Sequence, residues 1–263
     1  MVITNLQNPQ IKSVTALQKK KYREEAGRFV IEGVRFVEEA LQAGAAIEQV
    51  YYTAKAQTQA RGAALLEQAA DQGVALQEVA DPVMDKLSDT ETPQGILAVL
   101  AMPLAQADIK LQGLGLLIDG VQDPGNLGTI LRTAHAAGVK QVWLTPGTVD
   151  VYNPKTLRST MGSIFHLQIK VIDEAQLLKL AQESGWQVVV ADVSGQQPYY
   201  QVDLLQPTVL VVGSEARGPS ALLVEQSTHV VSIPMPGQAE SLNVGIATGI
   251  LLFEAVRQSA MNR

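Results

Sequence analysis

Five polar side chains in this sequence fall where strands run into loops and helices, the usual seat of chemistry in α/β chains: Asn126, Arg132, Glu215, Ser241 and Asn243. The first two lie in DGVQDPGNLGTILRT, residues 119–133. An apolar run, LGLLI, ends at Asp119, a loop with Gly120, Pro124, Gly125 and Gly128 follows, and a helical pattern begins. Strand, glycine-rich loop and helix together often cradle a phosphate. The loop lacks the Gly-Lys-Ser/Thr of P-loop enzymes, and its glycines do not make G-x-G-x-x-G. It offers Asn126 at the helix start and Arg132 at the rim of a packing face made of Leu127, Ile130, Leu131 and Ala134. The same pair also reads as a capping asparagine and a surface arginine.

Two further loops stand out. In VVGSEARGPS, residues 211–220, Glu215 follows a buried strand directly, and small residues there let a ligand approach the backbone. The plainer reading is a βα turn with a solvated glutamate. In SIPMPGQAESLNVGIATGILLFEA, residues 232–255, two prolines and a glycine stiffen a loop before a largely apolar helix. Ser241 can cap that helix. Asn243, at the start of a helix apolar on most sides, reads as buried and in need of a partner.

The elements that must position these residues follow an α/β pattern. Asn8-Pro9 signals a helix start, with Ile11, Val14 and Leu17 as its stripe. RFVIEG, IEQVYYT, VALQEV and GILAVLAM read as strands; VRFVEEALQAG, QARGAALLEQAADQG and DPVMDKLSD read as helices. Residues 102–113 show no period and read as a linker. Beyond it the apolar runs GLLID, QVWLT, WQVVVADV, TVLVVG and HVVSIP alternate with helical segments near 126–138, 154–161, 174–184, 218–225 and 241–258. Strands this apolar suit a parallel sheet covered on both faces. The spacing therefore predicts an N-terminal domain over 1–101 and a C-terminal domain over 114–263.

Composition narrows the function. There are no cysteines, which excludes disulfides and cysteine–zinc sites. The three histidines, His135, His166 and His229, are far apart in sequence, so no metal site is expected. The N-terminus carries no signal pattern, and the longest apolar stretch, near 244–253, is too short and too broken to span a bilayer. The expectation is a soluble cytoplasmic protein with no membrane partner. A net charge of -6 counts against bulk-electrostatic binding of nucleic acid. The charge is uneven, however. Lys12, Lys19, Lys20, Lys21, Arg23, Arg28 and Arg35 against Glu24, Glu25 and Glu32 make residues 1–35 net +4. A basic arm over 1–28 on an acidic body fits a local polyanion contact, or equally a solvated helix end.

The three loops, in this order and spacing over residues 115–258, closely resemble the three motifs of the SpoU (TrmH-like) RNA ribose methyltransferases of the SPOUT superfamily. The N-terminal part, with GRFVIEGVRFVEEAL, is similar to the RNA substrate-binding domain that precedes the catalytic domain in ribosomal-RNA members. The resemblance implies a parallel-sheet catalytic domain with a deep trefoil knot, after a small N-terminal α/β RNA-binding domain. It implies a homodimer, S-adenosyl-L-methionine as cofactor, no metal, and methyl transfer to a ribose 2′-hydroxyl, in large-subunit (23S) ribosomal RNA. Carried over by position, it implies catalytic roles for Asn126, Arg132, Glu215, Ser241 and Asn243, with Gly213, Ile233, Met235, Gly237 and Leu242 lining the cofactor site. Lys19, Lys20, Lys21, Arg23 and Arg28, with Lys155 and Arg158 of a further family-like segment, are the candidate RNA contacts. The arginine is either the base, assisted by an RNA phosphate, or a fork on that phosphate that aligns the hydroxyl; a free guanidinium holds its proton above about pH 12, which favours the second role. Three positions depart from the family pattern: His135, Ala216-Arg217 before Gly218, and Gly245. Competing readings are the same chemistry on transfer RNA, a noncatalytic RNA-binding assembly factor, and a Rossmann dehydrogenase, which the glycine spacing disfavours.

Overall fold

The computed structural model describes residues 1–103, 113–237 and 239–262. The expected linker, 102–113, lies almost wholly outside these residues. The chain forms two compact units, Met1–Leu104 with Tyr152–Phe165, and Ala105–Val151 with His166–Arg263.

In the first unit, Asn8 caps helix α1 (Pro9–Ala16) by accepting from Gln10 N at 2.8 Å, with Pro9 at the first helical position. Helix α2 (Lys20–Ala26) follows. Strands β1 (Arg28–Glu32), β2 (Ile47–Tyr52), β3 (Ala75–Glu78) and β4 (Ile96–Ala101) form one sheet in the order β1-β4-β2-β3. The central strand β4 is antiparallel to both neighbours, while β2 and β3 run parallel. ILAVLA has no polar alternation because β4 is buried along nearly its whole length. Helices α3 (Val34–Gln42), α4 (Ala54–Thr58), α5 (Ala60–Asp71) and α6 (Asp81–Leu87) complete the unit. In α3, Val34, Val37, Ala40 and Leu41 are buried at helical spacing, which is why VRFVEEAL reads as amphipathic.

The second unit begins with β5 (Leu114–Asp119), α7 (Pro124–Ala136) and β6 (Gln141–Leu144). Gly115 interrupts the apolar run of β5 because the Trp143 ring fills the space of its side chain; a Cβ there would lie 2.4 Å from the ring. The chain then visits the first unit for Tyr152–Phe165, which carries α8 (Pro154–Thr160). The sequence pattern put this segment inside an unbroken 114–263 domain. What ties it to the first unit is aromatic and ionic: Tyr152 packs on Phe29 with ring centroids 4.7 Å apart, Phe165 on Phe36 at 5.6 Å, and Arg158 pairs with Asp89 at 2.8 Å.

Back in the second unit follow β7 (Gln168–Val171), α9 (Glu174–Ser184), β8 (Gln187–Ala191), β9 (Gln197–Pro198), β10 (Thr208–Gly213), α10 (Ala221–Glu225), β11 (His229–Ser232) and α11 (Val244–Met261). Seven strands form a parallel sheet in the order β7-β6-β5-β10-β8-β11-β9. The short edge strands β7 and β9 carry little apolar periodicity, so the sequence pattern misses them. From β5 the chain steps outward through β6 to β7, then crosses to fill the other side, so the order reverses between β5 and β10. Ligands of open parallel sheets bind outside the carboxyl ends of the strands at such a switch point. Val209, Val211, Leu117, Val188 and Val190 are buried here, and burying each such side chain contributes about 1.5–3 kcal/mol.

Candidate active site

The switch point brings the ends of β5 and β10 side by side, with Asp119 opposite Gly213. Asp119 is buried and ties three loops together. Its Oδ2 accepts from Ser220 N at 2.8 Å and its Oδ1 from the Thr145 hydroxyl at 2.6 Å. Gly120 N donates to Thr145 Oγ1 and Thr148 Oγ1, each at 3.1 Å. Asp119 is therefore a positioning residue that the sequence reading passed over. Its signal was an acid closing an otherwise apolar strand.

After β10 the chain makes a tight turn. Ser214 bridges Gly218, and Gly218 N donates to Ser214 O at 2.9 Å. A Cβ on Gly213 would sit 2.0 Å from Pro219 N, so the approach of 218–219 to the strand end requires glycine. Gly218, at φ +67°, occupies the left-handed region. This turn carries Glu215 to the start of α7.

Helix α7 is capped by Asp123, whose Oδ1 accepts from Asn126 N at 2.8 Å, with Pro124 at the first helical position. The helix thus starts before Asn126, and the capping role open to that residue is taken by Asp123. The Asn126 amide is left for another use. Asn243, not Ser241, caps α11: its Oδ1 accepts from Gly245 N at 2.9 Å and Ile246 N at 3.3 Å. Its Nδ2 therefore points away and donates to Asn126 Oδ1 at 2.9 Å. Asn126 in turn can offer only its Nδ2 to Glu215 Oε1, and that bond is formed. The orientation of both amides follows from the cap. One directional chain, Asn243 to Asn126 to Glu215, joins the three loops that resembled motifs in the sequence.

Close helix packing sets this chain. A Cβ on Gly245 would be 3.1 Å from Thr129 Cγ2, and one on Gly249 would be 3.6 Å from Thr133 Cγ2. The contacts run in the same order along both helices, so α7 and α11 are parallel and their N-termini meet at Asn126 and Asn243. Gly245 admits Thr129 of α7 more closely than a side chain would, which gives it a packing role, whereas a Cβ at Gly249 would meet Thr133 in ordinary contact. Asn243 is exposed rather than buried as expected; its partners come from capping and from Asn126.

The remaining candidates separate. Arg132 is exposed and outside the chain of bonds. It lies six residues beyond Asn126, which is about 9 Å along the axis and roughly 120° around it. Ser241 is exposed and does not cap α11. Ile233 and Met235 are half-buried, Gly237 and Leu242 are exposed, and residues 233–237 lie outside any helix or strand. His135, at the far end of α7, stacks on His166 with centroids 4.5 Å apart.

The basic candidates of the first unit are mostly engaged. Arg23 is a correction: it is 3% exposed, and its Nη1 donates to Leu17 O at 2.8 Å and Gln18 O at 2.9 Å. It clasps the end of α1 and is out of reach of a polyanion. Arg28 pairs with Glu48 at 2.6 Å, Lys20 with Glu24 at 3.6 Å and Lys21 with Glu25 at 3.8 Å. Lys19 and Lys155 are exposed at helix starts, and Arg158 is held by Asp89. Among the described residues, no group of three or more His, Asp or Glu side chains is placed to hold a metal ion. No described helix is long and apolar enough to cross a membrane.

Residues 113–253 match the model of the SpoU rRNA Methylase family. The chain belongs to that family. Residues 8–98 match a second model, the MRM3-like substrate binding domain. A tRNA/rRNA methyltransferase of Synechocystis, itself uncharacterized, is 38% identical over 258 residues, 97% of this chain and 93% of that protein. The 23S rRNA (guanosine(2553)-2′-O)-methyltransferase RlmP of Bacillus subtilis is 35% identical over 251 residues, covering 95% of this chain and 97% of RlmP. Among solved structures, the AdoMet-bound rRNA methyltransferase from Sinorhizobium meliloti superposes with a TM-score of 0.88 at 34% identity, covering 98% of this chain and 97% of that one. The SpoU model spans all three loops of the Asn243–Asn126–Glu215 chain, and the likeness continues through the first unit.

Proposed function

We propose that this protein is an S-adenosyl-methionine-dependent RNA methyltransferase that methylates a ribose 2′-hydroxyl of 23S ribosomal RNA. The observation that carries this is the Asn243–Asn126–Glu215 chain at the sheet's switch point, in a SpoU chain whose residues 8–98 match a substrate-binding domain. The Rossmann reading has against it the glycine spacing of the first loop and the SpoU match over residues 113–253. The match of the first unit to an MRM3-like substrate binding domain weighs against a transfer-RNA substrate.

The residues present suit the cofactor. Residues 233–237 lie outside any element, so their backbone donors and acceptors are open to an adenine edge. The half-buried Ile233 and Met235 and the exposed Leu242 give the same loop an apolar lining, and Gly237 has nothing within 4 Å of the place where a Cβ would stand. Gly213, the remaining cofactor candidate, ends β10 at the same carboxyl edge of the sheet. When bound, S-adenosyl-methionine supplies an electrophilic methyl on a sulfonium, a good leaving group that asks for no metal.

The chain's own residues have the nucleophile to manage. A ribose hydroxyl is weakly nucleophilic and must shed its proton as it attacks. Asn126 is held by two bonds, and its second Nδ2 proton remains to orient a ribose oxygen. Glu215 uses one carboxylate oxygen on Asn126, and its other is an acceptor for a hydroxyl. Arg132, exposed, is the fork that grips the neighbouring phosphate and fixes the hydroxyl's line of approach. Ser241 adds a hydroxyl beside the cofactor loop.

The remaining features are parts of the same reading. The first unit is the RNA-binding domain, with Lys19, Lys20, Lys21 and Lys155 as its exposed cations. The segment after β11 passes through a deep trefoil knot. Support comes from the strand order, since β11 is inserted between β8 and β9 after both are laid down, and α11 then returns to pack on α7. The protein is a homodimer. Ile246, Phe253 and Val256 are exposed apolar residues on α11, and such a stripe marks an interface.

The deciding experiment incubates the full chain with labelled S-adenosyl-methionine and unmodified 23S or transfer RNA, then maps 2′-O-methyls by resistance to alkali. Label in one 23S ribose is expected. Label only in transfer RNA changes the substrate; no label and no cofactor binding overturns the reading.

A further inference from the structure

We propose that Arg217 is a second phosphate contact for the RNA, holding the backbone beside the target nucleotide; this rests on the reading of the site as an RNA methyltransferase. The chain carries net charge -6, so a polyanion reaching the switch point needs local cations there. Among the described residues of the second unit the cations are Arg132, Lys140, Lys170, Lys179, Arg217 and Arg257. Arg257 is bonded to Glu254 at 2.7 Å, and Lys179 is paired with Glu183 at 3.8 Å. Lys140 precedes β6 at the amino edge of the sheet, and Lys170 lies in the edge strand β7, two strands from β5. Arg132 is in the third turn of α7, about 9 Å along the axis from Asn126. Arg217 alone projects from a loop at the carboxyl end of β10.

Its position there is fixed. The turn is closed by Gly218 N on Ser214 O at 2.9 Å, and Arg217 N donates to Ser214 Oγ at 3.3 Å. Two residues earlier in the same turn, Glu215 is bonded to Asn126. Arg217 is exposed, and no described carboxylate pairs with its guanidinium. The carboxylates beside the turn are engaged elsewhere through at least one oxygen: Glu215 accepts from Asn126, Asp119 from Ser220 N at 2.8 Å, Glu174 from the Ser220 hydroxyl at 2.5 Å, and Asp192 Oδ1 from Ser194 N at 2.8 Å. A flexible side chain with a planar, permanently charged fork thus stands within about two residues' reach of the ribose-orienting amide, free to take a phosphate bidentately.

The test compares Arg217→Ala, Arg217→Lys and, as an equal charge change elsewhere, Lys179→Ala, in the full chain with 23S rRNA over a salt series. One phosphate contact releases about 0.7–0.9 of a counterion, worth about five- to eightfold in affinity at 0.1 M salt and little at 1 M. Arg217→Ala should raise KM for RNA by that factor and lower the salt slope by a little under one. The loss should fall on KM rather than kcat. Arg217→Lys should restore most of the slope, and Lys179→Ala should not change it. An unchanged KM and slope for Arg217→Ala, in a protein whose wild type methylates RNA, overturns this proposal alone. So does a loss confined to kcat, which would make Arg217 a support for Glu215. A wild type that methylates no RNA overturns both this proposal and the reading beneath it.

Discussion

Residues 1–35 are the most basic stretch of the chain, at net +4, yet most arginines of the first unit are paired while those near the switch point of the second are not. In the first, Arg23 is buried against two carbonyls, and Arg28, Arg61 and Arg158 are spent on Glu48, Glu38 and Asp89. In the second, Arg132 and Arg217 are exposed and outside any ion pair among the described residues. A cation already paired has little left for RNA, whereas one held out by a short turn or a helix flank keeps all of its field. Counting charges along residues 1–35 therefore overstates that stretch as an electrostatic footprint, and the acidic total of the second unit understates its mouth.

The largest expected effect sharpens the contrast from the side of the second unit. Arg132→Ala should lower single-turnover methyl transfer by about 10²-fold or more, the scale of a lost positioning contact, while calorimetric affinity for S-adenosyl-methionine stays within about twofold. Lost cofactor affinity with an intact fold would show that the cofactor and substrate sides have been exchanged. Arg23→Ala probes the opposite case. It strips charge-assisted bonds from a buried site and should cost about 1.5–3 kcal/mol per bond at most in urea unfolding, with RNA affinity unchanged where the protein is folded. Weaker RNA binding at full stability would return Arg23 to the RNA surface.

A smaller effect separates capping from orientation. Asn243→Asp keeps an acceptor for Gly245 N and Ile246 N but cannot donate to Asn126 Oδ1. Stability should stay within about 1 kcal/mol of wild type, while kcat falls by about tenfold as Asn126 loses its fixed orientation. Equal kcat would remove the chain of amides from the mechanism. The smallest effect concerns how α11 is anchored. Glu254 is held by Arg257 and Gln258, and Gln258 also bonds Val202 O at 3.0 Å and Leu204 N at 2.8 Å. The hydrogen bond from Arg257 holds the Glu254 carboxyl below the usual carboxylate range. Its stabilisation is therefore full above the unfolded-state value of about 4.3 and is lost as pH falls through the lower folded value. Glu254→Gln should be less stable than wild type near pH 7, by about 1 kcal/mol for a half-exposed partner, and the gap should close as the pH drops below about 4. A gap that persists in acid would trace the loss to packing.

Much of the fold was readable along the chain. Asn8-Pro9 marked α1, the apolar runs marked β5, β8, β10 and β11, and the stripe of α3 followed from its spacing, because burial on both faces or on one side leaves a periodic trace. The short edges β7 and β9 bury too little to leave one. The site was readable in part: Asn126, Glu215 and Asn243 stood out as polar residues beside strand ends. Their partners did not. The sequence could not say that Asp123 rather than Asn126 caps α7, or that Asn243 rather than Ser241 caps α11, since Asp, Asn and Ser all cap well and one turn of helix decides among them.

By itself the sequence determined the parallel sheet, the three loops and the family, because strand burial and a loop's backbone needs are imposed residue by residue along the chain. Tertiary structure alone decided which side chains meet. Asn126 and Asn243 are 117 positions apart, and they touch where α11 packs on α7, with Gly245 set closely against Thr129. It decided too that Arg23 is a clasp and that Tyr152–Phe165 belongs with the first unit. Such contacts depend on what comes to lie opposite a residue, and nothing in its own neighbourhood of sequence carries that.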